Sequence, residues 1–210
     1  LAQKEVWYFL AARARAGWSI ENNLMYLRKD ASNMELDAIA KYTLGLPMGE
    51  FEILDFTGAV DIRSKGIASV KQIVKTFPEF EPWPPLLDVY SRLSDELWRP
   101  MSEKGLSGVK TGKGFYEYPG GKYVKPDISK DLVGKIDPIQ LMAPAVNVAA
   151  WCVNQGIGSI EDVNKSFRLA FGWPKGIFEF VEDYGVENIL KTLSAKKENS
   201  PDWLDDFYNP

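Results

Sequence analysis

The chain has 210 residues, of which 45% are hydrophobic and 26% are charged, with a formal net charge of −4. This length can bury a sizeable core, and the composition is that of an ordinary globular protein. The negative charge argues against nucleic acid as a partner. No apolar run approaches the roughly 18 residues of a membrane-spanning helix, so no membrane partner is expected.

The absence of histidine is the most informative count in the sequence. It excludes histidine acid–base catalysis, Ser–His and Cys–His pairs and histidine zinc sites, so no catalytic, cofactor-binding or metal-binding residue is identified. The single Cys152 cannot form an internal disulfide, which favours a cytoplasmic setting. We interpret it as a small buried hydrophobic residue and not as a reactive thiol. Because the chain also begins at Leu1, we expect a piece of a larger protein.

The first predicted element is a helix over residues 1–29, with Trp7 on its apolar stripe and an interruption near Gly17. A helix–turn–helix unit follows over residues 32–62. Ser32 has the capping-box spacing at its start, and Gly45 suits the left-handed end of a helix. Gly49 then permits close backbone approach before the second helix.

Residues 159–189 repeat residues 32–62 without a gap, with eight identities in 31 aligned positions at an offset of 127. This recurrence predicts an internal duplication. We therefore predict two tandem repeats, over residues 1–125 and 126–210. A buried helical hairpin used only for packing also explains the motif, since nothing in it is a nucleophile or a proton donor.

The connection between the two copies contains several prolines. Pro78, Pro82, Pro84 and Pro85 are expected to exclude regular helix, and a helix over residues 86–99 is expected to stop at Pro100. Further on, Asp137 and Pro138 predict the start of a helix that Pro144 kinks or delays, and Ser200 and Pro201 predict a short C-terminal helix. Strand signals are thin, so the predicted fold class is all-α.

Residues 105–125 contain many glycines and aromatic residues and predict a loop, with at most a short hairpin around residues 119–121. The stretch fails the nucleotide-loop template because Gly114 follows Lys113, and it lacks the third glycine of the dinucleotide fingerprint. Two interpretations stay open. The loop either contacts a phosphate through the candidates Lys110 and Lys113, or closes onto a neighbouring domain.

Two motifs together resemble the C-terminal domain of 3-hydroxyacyl-CoA dehydrogenases. Residues 45–61 read G-L-P-M-G-E-F-E-I-L-D-F-T-G-A-V-D, and residues 108–116 contain K-T-G-K-G-F-Y at the expected distance. The resemblance implies an all-α fold of two tandem repeats of the 6-phosphogluconate-dehydrogenase-C-terminal-like helical domain. The second copy is most like the prokaryotic, particularly archaeal, fusions with enoyl-CoA hydratase.

The resemblance also implies a function for the parent protein. That protein would oxidise (3S)-3-hydroxyacyl-CoA with NAD in fatty-acid β-oxidation. The family's N-terminal dinucleotide-binding domain holds the NAD site and the His–Glu pair, so this chain alone is expected to be inactive and to bind no cofactor. It is expected to supply a homodimer interface and part of the cleft for the acyl-CoA substrate.

The sequence departs from the family pattern at three positions. Aligning Glu21 with the family's glutamate places Ala12 where the family has an asparagine, with Arg13 at the adjacent arginine. Glu50 and Ile177 stand where the family has proline. No catalytic residue is therefore carried over, and the alternative is a non-enzymatic helical dimerisation or scaffold module that retains only the packing signature.

Overall fold

The computed structural model describes residues 9–77 and 84–209. Within these ranges there is no strand, only two isolated bridges, which confirms the all-α prediction. Trp7, Pro78 and Pro82 lie outside the described residues. The helices are α1 (Leu10–Ala14), α2 (Ala16–Arg28), α3 (Asn33–Ala38), α4 (Glu50–Thr57), α5 (Ala59–Thr76), α6 (Pro84–Leu93), α7 (Arg99–Glu103), α8 (Ile139–Asn154), α9 (Ile160–Phe171), α10 (Glu179–Tyr184), α11 (Val186–Glu198) and α12 (Asp205–Tyr208).

The chain divides into two compact units that are each assembled from separate segments. The loop unit comprises residues 23–76 and 90–136, and the terminal unit comprises residues 1–22, 77–89 and 137–210. The loop unit holds residues 32–62, the first copy of the motif, and the terminal unit holds residues 159–189, the second copy. The repeat boundary between residues 125 and 126 concerns the sequence duplication and stays a prediction.

Both copies begin with the predicted capping box. The Ser32 hydroxyl accepts from the Glu35 backbone N–H at 3.2 Å, and the Glu35 carboxylate accepts from the Ser32 N–H at 2.8 Å. Ser159 and Asp162 exchange the same two bonds, both at 3.1 Å. These bonds satisfy N–H groups that have no partner within the helix, so each copy starts at a position set by local sequence.

The turn inside each copy depends on glycine for two different reasons. Gly45 and Gly172 have φ of 71° and 64°, the left-handed conformation that ends a helix. Gly49 and Gly176 instead provide space, because a Cβ there would lie 2.1 Å from the Asp37 carboxyl carbon or 2.3 Å from the Asn164 side chain. The predicted close approach is confirmed at both turns.

Proline positions depart from the predictions. Pro84 opens α6, and Pro100 lies inside α7, which continues to Glu103. A proline near a helix start costs little because the first N–H groups lack intrahelical partners. Before Pro100, a π-helical segment (Ser94–Trp98) replaces the regular turn and leads directly into α7. The expectations of no regular helix at Pro84 and Pro85 and of a stop at Pro100 were therefore wrong.

The helix break near the N-terminus and the start of α8 also differ in detail. The break falls at Arg15, between α1 and α2, and Gly17 lies inside α2. A Cβ on Gly17 would lie 2.2 Å from the Pro144 carbonyl oxygen, so this glycine allows α2 to approach α8 closely. Helix α8 begins five residues before Pro144 and runs through it, so Pro144 does not delay the start. The Asp137 carboxylate accepts from the Ile139 N–H at 3.0 Å, as the predicted start requires.

Residues 105–125 form a loop, as predicted, without the short hairpin that the sequence allowed. The segment contains short 3-10 turns over Val109–Thr111 and Pro119–Gly121, and single antiparallel bridges join Lys113 to Gly108 and to Glu117. The reason lies in the backbone N–H groups after Gly114. They donate to a side chain of α4 instead of to a facing strand.

Candidate functional site

The glycine-rich loop is held to α4 by the Asp55 carboxylate. Asp55 accepts from the Phe115 N–H at 3.0 Å and from the Tyr116 N–H at 2.8 Å. The loop backbone lies directly against this helix, since a Cβ on Gly108 would sit 2.4 Å from the Asp55 Cα and one on Gly114 would sit 2.0 Å from its Oδ1. Gly108 and Gly114 thus permit close packing of the loop on α4, with Asp55 as the anchor.

A second carboxylate, Asp37 of α3, joins three separate segments. Its Oδ1 accepts from the Phe51 N–H at 3.0 Å, and its Oδ2 accepts from the Glu52 N–H at 2.9 Å. The Tyr116 hydroxyl donates to the same Oδ2 at 2.9 Å. Asp37 therefore binds the start of α4 and the glycine-rich loop at once.

Burial changes the acidity of both carboxyl groups. It raises the pKa of Asp37 to about 7, although the Phe51, Glu52 and Tyr116 donors oppose that rise. It raises the pKa of Asp55 to about 6 against the same kind of opposition from two loop N–H groups. Perturbed carboxyls are often catalytic, but Asp37 and Asp55 are both fully buried and engaged with the protein's own donors. Their chemistry here is structural.

The aromatic part of the loop motif inserts among the helices. The Phe115 ring centroid lies 4.7 Å from that of Phe51 and 5.2 Å from that of Tyr26, both in edge-to-face geometry. The Asn33 side-chain amide donates to the Phe115 carbonyl at 3.1 Å. Both family-like motifs thus meet in a single packed cluster within the loop unit.

Beside this cluster lies a buried ion pair. Lys41 Nζ is 2.9 Å from Glu52 Oε2, and their side chains are 5% and 0% exposed. The Tyr123 hydroxyl donates to the other Glu52 oxygen at 2.5 Å, so the last part of the loop segment covers the pair. Glu50 is also fully buried, 3.4 Å from the Arg63 guanidinium, at the position where the family pattern has proline.

The two phosphate candidates lie on the surface of the loop. Lys113 forms an exposed ion pair with Glu117 at 2.8 Å. Lys110 is exposed on the 3-10 turn. Its charge contributes to the lowered pKa of Asp61, for which hydrogen bonds from two serine hydroxyls are the larger cause. Contact of Lys110 and Lys113 with a phosphate stays a prediction.

The loop does not fit a dinucleotide. In a dinucleotide-binding turn, glycine N–H groups face the pyrophosphate at the junction of a strand and a helix. Here the Gly112 N–H donates to the Val109 carbonyl and the Gly114 N–H donates to the Tyr116 carbonyl. No strand precedes the turn in the described ranges. No step of NAD chemistry is therefore assigned to this loop.

The positions aligned with the family's asparagine pattern lie in the terminal unit. Ala12 is exposed on α1, whereas Arg13 is buried with its guanidinium 5.5 Å from the Trp151 ring. Glu21 is buried between Lys196, at 2.8 Å, and the Tyr208 hydroxyl, at 2.7 Å. The correspondence of Ala12 with the family's asparagine stays a prediction.

Residues 9–77 and 84–209 provide neither a metal-binding cluster nor a membrane-spanning helix. No group of three or more cysteine, aspartate or glutamate residues there is placed to hold a metal ion. None of the helices in these ranges combines the length and the apolar character that crossing a membrane would require. Cys152 is fully buried, which raises the pKa of its thiol to about 12 and confirms its interpretation as a buried hydrophobic residue.

Sequence reasoning missed the two anchoring carboxylates. A signal for Asp37 was available, because the offset of 127 aligns it with Asn164, a second side chain with an acceptor oxygen. Asn164 Oδ1 accepts from the Phe178 N–H at 2.9 Å, as Asp37 does from Phe51. Asp55 carried no such signal, since Glu182 is its counterpart and its partners lie 60 residues further along the chain.

The fold and this cluster define a helical domain whose most distinctive residues bind its own glycine-rich loop. The family described as "3-hydroxyacyl-CoA dehydrogenase, C-terminal domain" matches residues 9–118 and 140–207. The chain belongs to this family, which confirms the resemblance drawn from the two motifs.

Curated relatives agree with this assignment. The chain is 34% identical over 110 residues to the mitochondrial hydroxyacyl-coenzyme A dehydrogenase of Mus musculus, covering 52% of this chain and 31% of that protein. It is 27% identical to the human peroxisomal bifunctional enzyme, covering 86% and 28%. It is 26% identical to the fatty acid oxidation complex subunit alpha of Vibrio cholerae, covering 78% and 23%. The chain thus spans about a third or less of these relatives.

A solved structure supports the fold. The crystal structure of 3-hydroxybutyryl-CoA dehydrogenase from Escherichia coli matches with a TM-score of 0.68 at 15% sequence identity. The match covers 96% of this chain and 57% of that one. Nearly the whole chain therefore has a counterpart in the fold of that protein.

Proposed function

We propose that the chain is the helical C-terminal portion of an NAD-dependent (3S)-3-hydroxyacyl-CoA dehydrogenase of fatty-acid β-oxidation, built from repeats over residues 1–125 and 126–210. The observation that carries the proposal is the joining of both family motifs through Asp37, Asp55 and Tyr116. The family match on both sides of residue 125 supports it further.

The proposed division of labour follows from the side chains. The chain has no histidine, and its raised-pKa carboxyls are bound internally. The proton acceptor and the NAD site would therefore belong to an N-terminal dinucleotide-binding domain of the same protein. This chain would supply a homodimer interface and part of the acyl-CoA cleft, in a cytoplasmic protein that is also fused to an enoyl-CoA hydratase domain.

The exposed lysines of the loop offer a specific role within that cleft. Lys110 and Lys113 carry positive charge on a turn fixed by Asp55, and lysine binds phosphate as a point charge. We assign them contact with the phosphate groups of acyl-CoA. The Lys113–Glu117 pair is solvent-exposed and its attraction is weakened by water, so a phosphate can compete for Lys113.

The test is NADH oxidation with acetoacetyl-CoA, measured for this chain alone and for the chain joined to its dinucleotide-binding domain. We expect no turnover from the chain alone and turnover from the joined protein. In the joined protein, the substitutions Lys110→Ala and Lys113→Ala should raise KM several-fold and leave kcat unchanged, because they remove ground-state binding. Lys122→Ala, at an exposed lysine of the same segment, is the matched control. Turnover by the chain alone would refute the proposed division of labour.

One observation favours a second candidate function, a non-enzymatic helical dimerisation or scaffold module. Ala12 stands at the position aligned with the family's asparagine, and Glu50 and Ile177 occupy buried positions where the family has proline. This module would retain the packing and lack the chemistry. It would be favoured if the joined protein self-associates and shows neither dehydrogenase activity nor saturable binding of CoA esters.

A further inference from the structure

The terminal unit carries an open groove along α9 and the start of α10. Its volume is about 630 Å³, within the size range of ligand sites. Two apolar side chains of the groove are strongly exposed, Ile160 at 54% and Leu169 at 76%. Arg168 and Glu179 form an ion pair beside them, with side chains that are 42% and 32% exposed.

The equivalent face of the first copy is partly covered by the chain itself, and Tyr42 there is 40% exposed. At the offset of 127, Asn33 corresponds to Ile160, and its amide binds the Phe115 carbonyl at 3.1 Å. Tyr42 corresponds to Leu169, and its hydroxyl donates to the Ile128 carbonyl at 2.8 Å. Residues 115–128 thus lie over the helix face that stays open in the second copy among the described residues.

The ion pairs of the two copies show the same contrast. Lys41 and Glu52 correspond to Arg168 and Glu179, but their side chains are only 5% and 0% exposed. The difference arises where the Tyr123 hydroxyl donates to Glu52. Glu179 has no such tyrosine within its own unit's described contacts and receives only Arg168 and the Gly176 N–H.

We propose that the groove of the terminal unit binds an extended, tyrosine-bearing peptide segment of a partner protein. An aromatic ring of the segment packs on Ile160 and Leu169, and a tyrosine hydroxyl donates to Glu179. The charge of the groove indicates a further property of the peptide segment. The exposed Lys165 adds positive charge at the position where the first copy has the buried Ala38. The segment therefore carries an acidic residue close to its aromatic residues, as F-Y-E-Y does on the first copy.

A synthetic peptide with the sequence of residues 113–125, K-G-F-Y-E-Y-P-G-G-K-Y-V-K, stands in for the partner segment. It is titrated into the isotope-labelled full chain and followed by amide chemical shifts. We expect saturable shifts within residues 160–179 and none within residues 33–56. A peptide of the same composition in scrambled order should produce neither.

Variants test the contacts. Leu169→Lys and Glu179→Gln should each weaken binding about tenfold or more, as expected for central contacts of an interface. Leu190→Lys, at a residue of α11 that is 43% exposed and outside the groove, should bind like the unmodified chain.

Three results of the peptide titration would overturn the proposal. They are no saturable binding, equal binding by Leu169→Lys, or shifts confined to residues 33–56. Self-association of the chain that Leu169→Lys abolishes would assign the groove to a second copy instead, and would also overturn it. None of these outcomes depends on dehydrogenase activity, so the proposed function stands or falls separately.

Discussion

The two copies of the motif use the same turn and stabilise it with different side chains. Asp37 in the first copy and Asn164 in the second both accept from a backbone N–H at the start of the next helix, at 3.0 and 2.9 Å. Asp37 has a second acceptor oxygen, which also serves Glu52 and Tyr116. Asn164 has an amide nitrogen in that place, which cannot accept. The carboxylate is needed only where the glycine-rich loop docks.

The same contrast extends to the neighbouring ion pair, which is buried in the first copy and exposed in the second. A charge that loses its partner in a buried site leaves the other charge desolvated, whereas water solvates the remaining charge at an exposed site. Equivalent substitutions in the two copies should therefore have unequal effects, and each prediction below tests that inequality.

The largest difference is expected at the ion pair. Lys41→Met should lower the free energy of unfolding by about 3–5 kcal/mol because Glu52 would be left buried and unpaired. Arg168→Met, the equivalent change in the second copy, should cost less than about 1 kcal/mol. Urea unfolding followed by circular dichroism measures both, and amide hydrogen exchange in α4 and α10 assigns the loss to a unit. Equal losses would contradict the contrast in burial.

Exchanging the side chains at the acceptor position should have an intermediate effect. Asp37→Asn should cost about 2–3 kcal/mol, because its amide nitrogen would face two donors. Asn164→Asp should cost less than about 1 kcal/mol, since the single Phe178 N–H bond is retained at a partly exposed site. The same unfolding measurement applies.

A double variant shows whether the docked loop is the cause. Adding Tyr116→Phe to Asp37→Asn removes one of the two opposed donors, so the pair should cost less than the sum of the single changes. Strict additivity would show that the Tyr116 hydroxyl does not depend on Asp37.

The last prediction concerns the dependence of the free energy of unfolding on pH. The pKa values of Asp37 and Asp55 are raised from 3.8 to about 7 and about 6 in the folded chain. The folded state therefore binds more protons than the unfolded state between about pH 4 and pH 7, and the free energy of unfolding falls as pH rises through that window. A full proton corresponds to a slope of about 1.4 kcal/mol per pH unit.

The slope is measured by urea unfolding at several pH values from 5 to 7.5. Asp37→Asn should flatten it, because an amide does not titrate, as in the second copy. Glu35 has the opposite effect on the pH dependence, because its hydrogen bonds with Lys135 and Ser32 lower its pKa to about 2. This effect operates only below the ordinary pKa of the group, 4.5. An unchanged slope in Asp37→Asn would exclude Asp37 as its source.

Local sequence signals predicted much of the helical pattern. The capping boxes at Ser32 and Ser159 and the left-handed glycines at Gly45 and Gly172 all formed as expected. Their partners lie within a few residues along the chain, so the short motif contains the complete interaction. The prolines were misjudged because a proline is disruptive or neutral according to where the helix begins, and packing shifts that start.

The candidate site was less predictable from sequence. Lys110 and Lys113 were selected from the glycine-rich motif, and their contact with a phosphate stays a prediction. The buried anchors Asp37 and Asp55 were not selected. A carboxylate looks the same in the sequence whether it faces water or a loop 60 residues away. Only the docked loop gives Asp55 two N–H donors and removes it from solvent.

Two motifs of the sequence indicated the family by their resemblance to it. The sequence by itself also determined the all-α class and the two copies of the turn, because glycine conformation, helix capping and apolar spacing are properties of neighbouring residues. The tertiary structure decided which segments share a compact unit, which carboxyls titrate near neutral pH, and which copy keeps its helix face open. Those properties depend on burial and on partners far along the chain. The equivalent residues Asp37 and Asn164 show this dependence, since both accept from a helix-start N–H but only Asp37 also contacts the docked loop.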